Sequence, residues 1–183
     1  MKEQYATKRL LLIPANKSLT EAVTDYYVRN RAFFQPFDPV CGEEFFTYRY
    51  QRARLDLDEQ NAMQAQGYRF YLVKKEQPQQ VMGMVALNGI VWGSFCSCFL
   101  GYKLDKDHLR QGLMSEAVQE CVRIAFEELG LHRIEANIMP CNLPSLGVAE
   151  KCGFVREGIS RKYLKINGVW EDHIHMVRLN ETE

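Results

Sequence analysis

Two stretches of the chain carry groups spaced for chemistry. The first is the strand-like run Leu100-Gly101-Tyr102-Lys103-Leu104, the loop Asp105–Arg110, and then Gln111-Gly112-Leu113-Met114-Ser115-Glu116-Ala117, where a helix begins. A helix start presents unpaired backbone N–H groups and the positive end of the helix dipole, so this junction suits a pyrophosphate. Gly112 lets the backbone approach such a group closely. The plainer reading is an ordinary tight strand-to-helix connection. The junction lacks both G-x-G-x-x-G and G-x-x-x-x-G-K-S, which excludes a dinucleotide fingerprint and a nucleoside-triphosphatase loop there. The second stretch runs from His132 to Ser145. In a strand, Glu135, Asn137 and Met139 share a face, and Asn142 and Ser145 open the next helix. A carboxylate, an amide and a hydroxyl so grouped can accept, hold and pass a proton. The plainer reading has Asn142 capping the helix with Ser145 in its first turn. Cys96 with Cys98, and His173 with His175, stand two apart, but no third ligand is evident near either pair, so no metal site is expected.

The elements that must position these groups follow from pattern. Tyr5–Pro14 is predicted as a first strand. Ser18-Leu19-Thr20-Glu21 has the form of a capping box and starts a helix from about Leu19 to Arg31. An aromatic, proline-rich loop, Phe33–Pro39, leads to a long polar helix from about Glu43 to Gln66. Arg69–Lys75, Val81–Trp92 and Phe95–Leu104, joined by short turns, predict an antiparallel meander. Val118, Cys121, Val122, Ala125 and Leu129 form one face of a helix over Gly112–Leu129, which Gly130 ends. Arg133–Met139 is a strand and Pro144–Cys152 a short helix. Phe154–Ile166 and Val169–Leu179 flank Asn167-Gly168, a strong signal for a two-residue hairpin turn. The fold class expected is α+β, a mixed α/β arrangement.

Composition narrows the function classes. The chain has 183 residues, of which 23 are basic and 23 acidic. One domain spanning 1–183 fits that length. The balanced charge argues against general affinity for nucleic acid or anionic lipid. No run approaches the ~20 apolar residues of a membrane helix. The N-terminal apolar run is too short for a secretion signal, so a cytoplasmic location and six reduced cysteines are expected.

The order of the segments resembles the GNAT superfamily of acyl-coenzyme A-dependent N-acetyltransferases, and most closely the RimJ/RimL-type ribosomal-protein-alanine N-acetyltransferases, the RimJ type in particular. The likeness is carried by Thr7-Lys8-Arg9-Leu10, Asn30–Pro39, Leu100-Gly101-Tyr102, Gly112-Leu113-Met114 with Glu116-Ala117, His132-Arg133-Ile134, and Ala136-Asn137 with Met139-Pro140, Asn142 and Ser145. It continues through Gly153-Phe154, Glu157-Gly158, Tyr163-Leu164, and Gly168 with Trp170 and Asp172-His173. The resemblance implies a bent, splayed mixed sheet flanked by helices, with acetyl-coenzyme A in the cleft and no metal. It implies that the backbone of Tyr102, Lys103 and Leu104 pairs with the pantetheine arm. It also implies that Gln111, Gly112, Leu113, Met114 and Ser115 hold the pyrophosphate, with Asn142 and Ser145 beside the sulfur. The family loop has glutamine or arginine, two residues, glycine, one residue, glycine. Here Asp107 and Arg110 stand at the first two of these positions and only Gly112 matches; Arg110 offers a charged contact to a phosphate instead.

The transfer needs a neutral amine, a polarised carbonyl and a proton for the thiolate. Ser145 is the expected donor toward the sulfur, and a backbone N–H near Lys103 or Leu104 the expected oxyanion partner. Glu135, or a water held by Asn137, is the expected base; the position aligned with a RimL-type glutamate is Leu164. A weak base fits an α-amine, whose pKa lies near ~7.7–8 against ~10.4 for lysine. The expected acceptor is therefore a ribosomal-protein N-terminus of the S5 kind, met alone or on the assembling ribosome, by a monomer or homodimer. It would enter past Phe37, with Glu43 and Glu44 attracting a basic tail. The alternatives are a small-amine acetyltransferase and a non-catalytic ribosome-assembly or regulatory protein with this fold.

Overall fold

The computed structural model describes residues 2–181. A single eight-stranded sheet is built from β1 (Tyr5–Ala6), β2 (Leu10–Pro14), β3 (Tyr68–Lys74), β4 (Gly83–Val91), β5 (Ser97–Leu104), β6 (Arg133–Ile138), β7 (Val155–Ile166) and β8 (Val169–Leu179), in the order β1-β2-β3-β4-β5-β6-β8-β7. All neighbours are antiparallel except β5 and β6, which run parallel. Helices α1 (Thr20–Arg29), α2 (Arg31–Phe34) and α3 (Tyr48–Met63) lie on one face, where Val23, Tyr26, Tyr27 and Leu55 bury against Tyr71, Val73 and Met84. Helices α4 (Leu113–Arg123) and α5 (Leu143–Lys151) cover the other, where Ala117, Val118, Cys121 and Leu146 pack on Phe70, Leu72, Val85, Leu100 and Ile134. β3 is therefore buried on both faces and reads as an apolar run rather than an alternating one.

Most elements stand where their patterns place them, and β8 has the expected bounds. Asn167 and Gly168 have φ of 45° and 86°, as a two-residue hairpin turn with left-handed geometry at both positions requires. The N-terminal strand is two strands, because Thr7–Arg9 turn the chain between β1 and β2. The capping box does not form. Asn16 caps the first turn instead, accepting from the Ser18 N–H at 3.0 Å. The long polar helix is broken: residues Glu43–Phe46 form a separate 3₁₀ turn, and α3 starts only after Thr47, whose extended backbone (φ −96°, ψ 149°) and side-chain cap on the Tyr50 N–H restart the helix. Cys96 has a φ of 39° and precedes β5, so it does not share a strand face with the buried Cys98.

A polar cluster fixes the loop that follows β5. Asp105 is 1% exposed. Its carboxylate accepts from Arg29 Nε at 2.7 Å, Asn30 Nδ2 at 3.0 Å and the Asp107 N–H at 3.0 Å. Asn30 Oδ1 in turn accepts from the Lys106 N–H at 3.1 Å, so the end of α1 is tied to the loop after β5. Burial opposes ionisation of Asp105, but these donors outweigh it and hold its carboxyl below the usual value. The stabilisation is thus complete above the unfolded carboxyl pKa and is lost as pH falls through the lower folded value. Removing one partner of a buried, hydrogen-bonded charge costs about 3 kcal/mol. Asp105→Ala should lower Tm by about 6–12 °C in calorimetry near pH 7. The gap to wild type should narrow as pH drops below about 4.

Candidate functional site

The site forms where β5 and β6 part. They pair only at Ser97↔Arg133, Cys98↔Ile134 and Phe99↔Glu135. β5 then continues to Leu104, still laddered to β4 on its other side, while β6 runs to Ile138. One edge of Gly101–Leu104 therefore has no strand partner, and its backbone groups line a wedge. Tyr102, Lys103 and Leu104 lie on this unpaired stretch of β5.

Beyond β5 the chain enters α4 through two left-handed residues, Arg110 (φ 59°) and Gly112 (φ 72°). The first bond within α4 runs from the Glu116 N–H to the Gly112 carbonyl at 3.1 Å, so the amides of Leu113, Met114 and Ser115 have no helical carbonyl to bond, and no side chain caps them. Arg110 keeps the left-handed geometry without being glycine, at a cost of roughly 1–2 kcal/mol. The turn is braced from below. Glu116 accepts from Thr7 Oγ1 at 2.6 Å and from the N–H and Nε of Arg9, each at 2.7 Å; Arg9 Nη1 donates to the Gln111 carbonyl at 2.8 Å. Thr7 and Arg9 thus strap the turn that opens α4, a task that the sequence did not reveal.

The opposite wall of the wedge starts at α5. Asn142 Oδ1 accepts from the Ser145 N–H at 3.2 Å, which is its helix-capping bond. Ser145 Oγ donates to the Tyr102 hydroxyl at 3.0 Å, and that hydroxyl donates to the Ser145 carbonyl at 2.8 Å. Tyr102 therefore ties β5 to α5 across the wedge. Burial pushes its phenol well above the ordinary value, so it remains protonated. The role of this side chain was not legible from sequence, which pointed only to the backbone of Tyr102.

On the face of the sheet toward α1–α3, the wedge is lined by polar groups. Glu135 accepts from Arg133 at 3.0 Å and bonds His175 Nδ1 at 2.7 Å. Burial would raise its pKa, but the bonds from His175, Arg133 and Asn137 outweigh it and hold the carboxyl below its usual value. Asn137 Nδ2 lies 3.4 Å from the Tyr163 hydroxyl, while Asn137 Oδ1 is buried with no hydrogen-bond partner. The residue facing Asn137 from β7 is Tyr163, whereas Leu164 is 43% exposed. A bulge between Ser160 and Leu164, with Lys162 at φ 51°, sets that orientation.

The loop after α2 closes over this face. Lys103 pairs with Asp38, and the Asp38 carbonyl accepts from the Asn167 N–H at 2.7 Å. Beneath it lies a cavity of about 100 Å³ lined by Tyr27, Phe34, Asp38, Cys41, Phe45 and Asn167. Phe37, Glu43 and Glu44 lie outside that lining. Phe37 is 40% exposed, and Glu43 is paired with Arg31, whose bond holds its carboxyl below the usual value. Among the described residues no group of three or more His, Cys, Asp or Glu is placed to hold a metal ion, and no helix is long and apolar enough to cross a membrane.

The model of the acetyltransferase (GNAT) domain family matches residues 9–155. The chain is 43% identical over 151 residues to a protein of Bacillus subtilis (strain 168) described as the probable N-acetyltransferase YjcK, covering 82% of this chain and 83% of that one. It is 32% identical over 173 residues to the [ribosomal protein uS5]-alanine N-acetyltransferase of Escherichia coli (strain K12), covering 94% and 89%. The crystal structure of the ribosomal-protein-S5-alanine acetyltransferase from Vibrio fischeri superposes with a TM-score of 0.93 at 30% identity, over 98% of this chain and 97% of that one. The chain belongs to the GNAT acetyltransferase family and is an acetyl-coenzyme A-dependent N-acetyltransferase.

Gly112→Val places a β-branched residue at φ 72° in the anion turn. Its new Cβ would meet Arg9 Nη2 only at 3.7 Å, so the penalty is backbone strain rather than internal overlap. Where the free variant relaxes out of this geometry and must regain it to bind, that roughly 1–2 kcal/mol appears as about 5–30-fold weaker coenzyme A binding, measurable by calorimetry. Unchanged affinity would remove the pyrophosphate from this turn. Ser145→Ala should lower kcat by about 10²-fold with little change in coenzyme A affinity, the range of a lost proton-transfer group. An intact rate constant would leave Ser145 with its capping and packing role alone.

Proposed function

We propose that this acetyltransferase modifies the N-terminal α-amine of a ribosomal protein, an S5-like chain beginning with alanine. The observation that carries the reading is likeness over nearly the whole chain, in sequence and in backbone, to enzymes named for that reaction. The site supports it in one respect: Glu135, the carboxylate beside Asn137 on β6, is already engaged by Arg133 and His175. An acceptor of modest pKa matches that, and an α-amine is neutral far more often than a lysine.

The residues present fit acetyl-coenzyme A. The uncapped amides of 113–115 and the Gln111–Gly112 turn supply donors for a pyrophosphate. The free edge of Tyr102–Leu104 supplies a strand partner for the amides of a pantetheine arm. Arg110 is exposed beside the turn and adds a cation for a phosphate. Acetyl-coenzyme A supplies an acetyl thioester. The backbone N–H of Leu104, which the ladder directs away from β4, would stabilise negative charge on the carbonyl oxygen. The Ser145 hydroxyl, fixed by Tyr102, stands ready to pass a proton toward the sulfur.

Incubation with acetyl-coenzyme A and a peptide copying an S5-type alanine terminus should add one acetyl group. Mass spectrometry should place it on the α-nitrogen and leave internal lysines largely unmodified. Acetylation confined to lysines or polyamines would reject the α-amine assignment while leaving the acetyltransferase standing.

A further inference from the structure

The charges of the chain balance in number, 23 basic against 23 acidic, but not in space. β7 ends the sheet, so one of its edges has no strand partner. Along it Arg156, Arg161, Lys162 and Lys165 are exposed, and among the described residues none of the four takes part in an ion pair. The carboxylates of the β7–β8 hairpin do not offset them. Glu157 bonds Arg133 at 2.9 and 2.6 Å, Asp172 accepts from the Lys162 N–H at 2.8 Å, and Glu171 stands on β8 opposite Leu164. An extended strand from Arg156 to Lys165 covers at most about 30 Å, so the four cations form one stripe. Trp170 stands in register opposite Lys165 and is 57% exposed. It is one of the residues by which the chain resembles its family, yet neither the turn before α4 nor the wedge uses it.

We propose that the outer edge of β7, with Trp170, is a docking surface for single-stranded RNA, held by its phosphates and a stacked base and not by its sequence. Four unneutralised cations in a row suit a phosphate backbone. An exposed indole beside a cation is a platform for a base. Val155, Ile159 and Leu164, exposed between the cations, add apolar contact. A second copy of the chain fits this edge less well. Two β7 strands meeting about a two-fold axis would set like cations against each other, which destabilises cross-strand pairs. Their ladder would also be interrupted by the bulges between Arg156 and Gly158 and between Ser160 and Leu164. Cations and bulges blunt an edge strand against pairing, but an exposed indole among them does not serve that end. β7 also presents Tyr163 to Asn137, so RNA on its outer edge lies beside the acceptor face. An acceptor protein carried on RNA would thereby reach the wedge at raised local concentration. That benefit rests on the ribosomal-protein reading; the docking surface itself does not.

The test is fluorescence anisotropy of a labelled single-stranded RNA of about 12 nucleotides and mixed sequence, titrated with the full chain. Four phosphate contacts give a slope of log K against log salt near about −2.8, or about 50-fold weaker binding at 200 mM salt than at 50 mM. Arg161→Gln with Lys165→Gln should bring the slope to about −1.4 and weaken binding at low salt by about tenfold or more. Trp170→Ala should weaken binding by about 5–100-fold and leave the slope unchanged. Arg49→Gln with Arg52→Gln removes equal charge from α3, which packs on β3, and should leave binding unchanged. Every variant should keep wild-type coenzyme A affinity, a check on folding that is independent of the acceptor. Absence of salt-dependent binding overturns the proposal, as does an equal loss from the α3 pair of substitutions or tighter binding of polyglutamate than of RNA. Sedimentation showing a dimer that Trp170→Ala dissociates overturns it as well, because a second copy then covers the edge. If the alanine-start peptide is not acetylated, the acceptor reading falls, and these binding measurements still decide the role of β7.

Discussion

The architecture turns on two parallel strands that separate after three residue pairs. Elsewhere in a sheet, a strand edge stripped of its partner would be a liability that invites foreign pairing. Here the edge of β5 opens inside the sheet, between strands laddered on their outer sides, so it is exposed to a narrow wedge and not to bulk surface. A slim chain bearing amides can complete that ladder. The separation also leaves α5 beside the opening, where its Ser145 hydroxyl meets the Tyr102 hydroxyl of β5.

Strands do not stay apart without support. The Tyr102–Ser145 pair bridges the opening by side chains in place of backbone pairing. The loop that leaves β5 is fastened twice, by Asp105 to the end of α1 and by Glu116 to the turn between β1 and β2. Both carboxylates are depressed in pKa because the donors around them outweigh burial. A turn held in this way keeps its unbonded amides in fixed positions, and such preorganisation is where rigid fixing contributes to affinity. The left-handed Arg110 shows the same constraint from the other side. The turn retains a backbone geometry that glycine would adopt without strain, so the surrounding structure and not the residue dictates it.

The acceptor side is organised around charge that is already neutralised. Lys103 pairs with Asp38, Arg31 with Glu43, and Arg133 with both Glu135 and Glu157. Beside these pairs Ser160 and His175 bond each other and Asn137 Nδ2 meets Tyr163, while Asn137 Oδ1 is buried without a partner. The link between Asp38 and Asn167 spans from the helical side to the β7–β8 hairpin and roofs part of this face.

Local pattern alone determined the elements, because burial and turn chemistry act over a few residues. The two-residue turn at Asn167-Gly168, the amphipathic face of α4 and the glycine at its start are legible in this way. The resemblance supplied the splayed sheet, since spacing by itself cannot separate an anion turn from a plain connection. Where local signals competed, sequence was misleading. Ser18 and Glu21 form a capping box on paper, but Asn16 takes the cap, and Thr47 restarts a helix whose polar pattern reads as continuous. Glu135, His175 and Ser160 are far apart in the chain and unremarkable singly; a strand pairing of β6 with β8 and of β8 with β7 brings them within hydrogen-bond reach. The engagement of Glu135, the bridging task of Tyr102 and the strap from Arg9 to Glu116 are decided in the same manner. Each depends on which side chains from distant segments meet across strands or helix ends, and only the tertiary structure fixes those distances.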